Sequence, residues 1–185
     1  RQLTSQSAAI LDRLCAALGA EPRGVAEVEW AESIDGHRRV AHVAWSGSVG
    51  PRGLTPFEGL DGASWSDGAG AAGQAWGEPF VVETLAGAAG AGGPVRVRHH
   101  VRAFFQGNRF LLQGLVDDVV RRVDAAEVAD LYAGVGIFSV VLAASGHRVE
   151  AVEGDAFAAA DLQVNAAPTP GVRAHHLAVE SFVRG

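Results

Sequence analysis

The chain has 185 residues, 48% of them apolar, and a net charge of −6. That length allows one domain or two small ones, no apolar run approaches the ~20 residues of a membrane span, and the acidic balance argues mildly against nucleic-acid binding through a broadly basic surface. The single cysteine, Cys15, excludes an internal disulfide and any cysteine-built metal site, and without a basic-then-apolar leader the reading is cytoplasmic.

Residues 4 to 19 read as a helix. Ser5 or Ser7 caps it, Ile10, Leu11, Leu14, Cys15 and Leu18 make an apolar stripe, and Gly19 stops it. Cys15, on that stripe, reads as a small buried hydrophobe. Residues 24 to 46 read as a hairpin. Ala26, Val28 and Trp30 alternate with Glu27 and Glu29, Asp35-Gly36 turns, and Val43 and Trp45 alternate on the return. Residues 46 to 78, rich in Gly, Ser and Pro, read as loops.

Pro79 to Leu85 reads as a strand and Gly87 to Gly93 as a small-residue linker. Val95, Val97, His99 and Val101 alternate with Arg96, Arg98, His100 and Arg102, which reads as a strand with one arginine-rich face. Arg96, Arg98, Arg102 and Arg109 fall within 14 residues that hold no acid. The Arg96, Arg98 and Arg102 face is a candidate contact for nucleic-acid phosphates, or simply a solvated strand face. Adjacent residues on a strand point to opposite faces, so neither His99–His100 nor His175–His176 suits a metal ion, and no metal is expected.

From about Phe104 the pattern changes to alternating helices and strands. Helical runs follow at Phe110 to Val120, Ile137 to Ala144 and Ala156 to Ala167. Strands read at Glu127 to Tyr132, His147 to Val152 and Val172 to Leu177. Such alternation implies parallel strands with crossover helices. Three strands leave the sheet unfinished, with an unpaired edge and an apolar face exposed. The chain also lacks methionine altogether, so it reads as an excised piece whose second domain stops partway.

Asp130-Leu-Tyr-Ala-Gly134-Val-Gly136-Ile-Phe-Ser139 sits at the first of these strand-to-helix turns, and Glu153 ends the next strand. This is the layout of a nucleotide-type cofactor site. The glycines allow a sharp turn and leave space for a ligand, and the helix behind them starts with free N–H groups. A third glycine at the spacing that seats a pyrophosphate is missing, which favours S-adenosylmethionine over a dinucleotide. Glu153 can accept hydrogen bonds from a ribose diol, or is an ordinary strand-end acid. Asp130 orients the loop or a ligand amine, or caps loop amides. By pattern alone Asn165 reads as a helix C-cap.

Arg102-Ala-Phe-Phe-Gln-Gly-Asn108, Asp130 to Ser139, Val152-Glu153 and Asn165 together resemble the RNA uracil-5-methyltransferases over about residues 95 to 182. Phe-Phe-Gln-x-Asn is the specific part of the match. The resemblance implies an N-terminal helix (residues 1–22), a β-rich central domain (23–103) and a partial Rossmann-like class I methyltransferase domain (104–185). It implies S-adenosyl-L-methionine as cofactor and transfer or ribosomal RNA as partner. It places Gln106, Tyr132 and Glu153 on cofactor contacts, Gly134 and Gly136 on the cofactor loop, and Ile137 on a further contact. Ala178 falls where many members carry an Asp near the adenine. The family's Asp-Pro-Pro-Arg and Ser-Cys segments, which carry its base and nucleophile, are absent here, so no catalytic residue is assigned. The rival readings are a class I methyltransferase with a non-RNA acceptor, a non-catalytic module binding the cofactor or RNA, and a dinucleotide-binding module.

Overall fold

A computed structural model describes residues 3–19, 24–46, 51, 54–69, 72–87 and 93–185. The chain divides into two compact units, Arg1–Val81 and Val82–Gly185.

The first unit opens with α1, Ser5–Gly19. Its cap is Thr4 rather than Ser5 or Ser7: the Thr4 hydroxyl accepts the Ser7 N–H at 3.1 Å. Ser7 is buried, and its hydroxyl accepts from Arg39 Nε at 2.6 Å. Ile10, Leu14 and Leu18 recur at helical spacing and pack with Ala41, Val43, Trp45 and Ala63. Cys15 is exposed, against expectation. One position along from Leu14 it is turned about 100° off the buried stripe.

Strands β1 (Val25–Glu32) and β2 (Arg39–Trp45) form the expected antiparallel hairpin. Residues 46 to 78 are not all loop. They contain β3 (Gly62–Asp67), parallel to β2, and β4 (Ala72–Gly77), antiparallel to β3. Their sequences, Gly-Ala-Ser-Trp-Ser-Asp and Ala-Gly-Gln-Ala-Trp-Gly, carry no β-branched residue. The ladder itself and the packing of Trp65 and Trp76 on the core hold them in place. With a neighbour on each side, β2 is buried almost throughout. His42 sits inside, between the hydroxyls of Ser64 (2.8 Å) and Ser66 (2.9 Å).

In the second unit β5 (Phe80–Leu85), which crosses the division, pairs with β6 (Val95–His100). Residues 88–92 of the expected linker lie outside the described residues. There follow α2 (Arg109–Arg122), β7 (Glu127–Leu131), α3 (Ile137–Ala144), β8 (Arg148–Glu153), α4 (Ala156–Ala166), β9 (Val172–His176) and α5 (Val179–Arg184). The strands run parallel in the order β7-β8-β9, as the alternating pattern predicts. On one sheet face Val128, Val149, Ala151, Val172 and Ala174 pack with Phe138, Leu142 and Leu162 of the helices.

The other face is not the apolar surface expected. Glu127 pairs with Arg148 (2.6 Å), and Glu150 pairs with both Arg173 (3.2 Å) and His175 (2.5 Å). Helix α2 differs in phase from the apolar positions Phe110, Leu111, Leu115, Val119 and Val120 that suggest it in the sequence. Leu112 and Val116 are buried, while Phe110 and Leu111 are 81% and 65% exposed. Among the described residues no helix is long and apolar enough to cross a membrane.

Candidate cofactor site

The turn from β7 into α3 is built on left-handed backbone. Tyr132 has φ 58°, Gly134 φ 57° and Gly136 φ 87°. The two glycines have different work. A Cβ on Gly134 would meet only the Phe104 carbonyl, at 4.0 Å, so this residue faces open space. A Cβ on Gly136 would lie 2.5 Å from Leu162 Cδ1, so here glycine lets α4 pack against the turn. Ile137, the first residue of α3, is buried, and its side chain belongs to the core.

Two carboxylates fix the turn. Glu153, at the end of β8, accepts the Gly134 N–H (2.8 Å) on one oxygen and the Asp155 N–H (2.7 Å) on the other. It therefore ties the glycine loop to the start of α4, and each oxygen keeps a second lone pair for a ligand hydroxyl. Asp130 accepts the Ser139 hydroxyl at 2.5 Å, reaching from β7 to the first turn of α3. Burial pushes its carboxyl above the usual range, the Ser139 hydrogen bonds pull it back, and the charge of Glu153 pushes it further up.

Tyr132 costs backbone strain, because an L-residue in the left-handed region loses about 1–2 kcal/mol. Strain of this kind concentrates at ligand sites. Its ring is exposed, and its hydroxyl donates to Glu180 of α5 at 2.9 Å. That bond raises the Tyr132 phenol. Glu180 is lowered, first by its own backbone N–H and then by Tyr132. Ala178 is the N-cap of α5 and offers no side-chain cap, so the carboxylate on this wall comes from Glu180.

The strap Phe104 to Asn108 closes the other side, where the Phe104 carbonyl faces Gly134. Phe105 stacks on His99 with centroids 3.9 Å apart and planes 9° apart, and His99 in turn bonds Glu83 at 3.2 Å. Gln106 is half-buried, and its amide hydrogen-bonds to none of the described residues. Asn108 caps α2 by accepting the Leu111 N–H.

The arginine strand is less open than its sequence suggests. Arg96 is exposed. Arg98 donates to the buried Asp161 at 2.7 Å, and the Arg102 guanidinium lies 4.4 Å from the Phe157 ring centroid. Asn165 is not a C-cap: it lies inside α4, and its side chain bonds β6 and the glycine loop. Among the described residues no three His, Cys, Asp or Glu side chains gather as a metal site would require.

Sequence reasoning missed the roles of Ser139 and Glu180 in this framework, and those of Asp161 and Asn165. The last two did leave a signal. They are polar residues four apart on Ala-Ala-Ala-Asp-Leu-Gln-Val-Asn-Ala-Ala, a helix otherwise mostly small and apolar, which is the spacing of one shared face.

No protein-family model matches the chain. It is 37% identical over 83 residues to a tRNA (uracil(54)-C(5))-methyltransferase of Pyrococcus furiosus, which covers 45% of this chain and 18% of that protein. It is 34% identical over 83 residues to the protein of the same name from Pyrococcus horikoshii, covering 45% and 19%. The structure of Pyrococcus abyssi tRNA (uracil-54, C5)-methyltransferase in complex with S-adenosyl-L-homocysteine superposes with a TM-score of 0.71 at 22% identity. That match covers 92% of this chain and 47% of the other. The fold is that of a class I methyltransferase. The chain spans about half the length of that solved relative, and its matches to the curated relatives span about a fifth of theirs.

Proposed function

We propose that this chain is the cofactor-binding half of an S-adenosyl-L-methionine-dependent methyltransferase acting on C5 of uracil in RNA, with tRNA as the first candidate and rRNA as the second. The observation that carries the reading is the open space before Gly134. Glu153, Tyr132 and the Gln106 amide, which hydrogen-bonds to none of the described residues, stand around this turn and its strap. Named relatives that methylate uracil in tRNA support the substrate.

When bound, S-adenosylmethionine supplies an electrophilic methyl group. Gly134 lets it approach the backbone, Glu153 accepts ribose hydroxyls on its remaining lone pairs, and the Gln106 amide binds a polar group from the strap side. Ile137 contributes through its backbone at the start of α3, where N–H groups lack helical partners. Asp130 holds α3 in place through Ser139. Attack on uracil C6 calls for a thiolate. The single cysteine here is exposed on α1, so this chain contributes cofactor binding and no assigned nucleophile. A target uridine inside a folded RNA would have to leave its stack to reach the methyl group. Of the arginine strand, Arg96 is the member we assign to RNA phosphates, with Arg102 beside Phe157 as a second contact.

Calorimetry with S-adenosylhomocysteine tests the cofactor. Binding is expected, weakened about tenfold or more by Gln106→Ala and by Glu153→Ala, and insensitive to NAD. Absence of binding, or displacement by NAD, sinks the reading. Methyl transfer by the full-length protein to tRNA and rRNA, with the modified position mapped, tests the acceptor.

A further inference from the structure

We infer that Asn165 is a positioning residue that sets the glycine loop against the strand feeding the Gln106 strap. The inference rests on the cofactor reading above for its functional meaning, and on hydrogen bonds alone for its geometry. Asn165 is 4% exposed and lies on α4. Its Oδ1 accepts the Arg98 N–H at 2.8 Å. Its Nδ2 donates to the Arg98 carbonyl and to the Val135 carbonyl, each at 2.8 Å. The partners fix the amide's orientation: turned over, Nδ2 would face the Arg98 N–H and Oδ1 would face two carbonyls. Both N–H donors and the oxygen are thus used inside the protein.

The partners matter because of where they sit. Val135 lies between Gly134 and Gly136, at the centre of the proposed site. Arg98 is in β6, and five residues later the chain reaches Ala103 and the Phe104 to Asn108 strap. Asn165 pairs with β6 as a neighbouring strand would, taking both backbone groups of one residue, and uses its remaining donor to hold the loop. Asp161, one helical turn earlier, continues the edge: it accepts Arg98 Nε at 2.7 Å and the His100 N–H. The two walls of the site are therefore indexed to each other through one buried amide on α4. A helix that only needed to cover the sheet would carry an apolar residue here, as it does at Leu162.

Asn165→Asp keeps the size, turns the donor into an acceptor and sets it against two carbonyls. Asn165→Ser keeps one donor and tests the same point should the Asp variant fail to fold. Val149→Ala, a core truncation that touches none of these bonds, serves as the control for lost stability. Two readouts are taken on the full chain: affinity for S-adenosylhomocysteine, and hydrogen exchange at the Gly134 and Gly136 amides. The expected result is faster exchange at both amides and about tenfold weaker binding in the Asn165 variants, with less than about twofold loss in Val149→Ala at comparable stability. Folded Asn165 variants with unchanged exchange at the loop would overturn the inference. If the parent chain does not bind S-adenosylhomocysteine, the cofactor reading has failed. The exchange rates still decide whether Asn165 holds the loop.

Discussion

Replacing Gly136 and Gly134 separately by alanine gives opposite outcomes. At Gly136 the new Cβ sits 2.5 Å from Leu162 Cδ1 with φ at 87°. The left-handed backbone costs about 1–2 kcal/mol, and overpacking a well-filled core about 1–3 kcal/mol. Leu162 Cδ1 is the tip of a side chain, but Leu162 is 1% exposed and packed in the core, so it has no empty volume to rotate into. The sum is roughly 2–5 kcal/mol. At Gly134 the Cβ meets only open space, so the cost is the backbone term of about 1–2 kcal/mol, while the methyl group enters the ligand's space. Native-state hydrogen exchange at Val149 and Ala151, in the central strand, reports the stability of this unit alone, and calorimetry reports affinity for S-adenosylhomocysteine. Gly136→Ala is expected to lose mainly stability, and Gly134→Ala mainly affinity. In the cycle with Leu162→Ala, Gly136→Ala is expected to cost less than it does alone. Equal stability losses at the two glycines, or no coupling to Leu162, would refute the assignment of packing to one and ligand approach to the other.

Arg98→Ala leaves the buried Asp161 without its cation and is expected to cost about 3–5 kcal/mol, against roughly 0.5 kcal/mol or less for exposed Arg96→Ala. Urea unfolding of both variants checks the contrast. Conversely, Arg96→Ala in the full-length protein is expected to lower RNA affinity and its salt slope; unchanged values remove Arg96 from the interface. Burial lowers the His100 imidazole below its ordinary value, Asp161 opposes this, and Arg102, Arg98 and His99 add to it. The folded state then binds fewer protons than the unfolded one. His100 stabilises fully above pH ~6.5 and loses that contribution as the pH falls from there through its lowered folded value. Its Nδ1 already accepts the Arg102 N–H at 3.1 Å. An NMR titration placing His100 at or above the free-histidine value contradicts this. Asp130 has the opposite sign. Its raised carboxyl makes the unit lose stability as the pH climbs from ~3.8 to the folded value, and Asp130→Asn is expected to flatten that part of the stability curve.

The methyltransferase-like unit was legible because its strands and helices repeat one grammar. Val128 to Leu131, Val149 to Val152 and Val172 to Ala174 are short strands bracketed by Gly, Asp or Ser, with helical stretches between them. The first unit hid two strands. In β3 and β4 the residues are mostly glycine, alanine, serine and tryptophan, and what makes them strands is their neighbours rather than their own preference. Helix α2 was found but phased wrongly. Phe110 and Leu111 attract any reading that equates apolar with buried, yet Leu112 and Val116 face the core. At the site the glycine turn, Asp130 and Glu153 were singled out from pattern, and Gln106 only through the family resemblance. The engagement of both Glu153 oxygens by backbone amides was not, because Gly134 and Asp155 meet it only once β8 is laid beside β7. Asn165 was misread for the same reason: its partners are 67 and 30 residues away.

A tyrosine held at φ 58° is a poor answer to the question of how to make this turn stable, since glycine there would relieve about 1–2 kcal/mol of strain. Any selection that rewards heat resistance alone will therefore favour its replacement, and will strip the aromatic wall from the loop while every assay of folding improves. A thermostabilised descendant of this chain has to be screened for binding at each round, with position 132 held fixed.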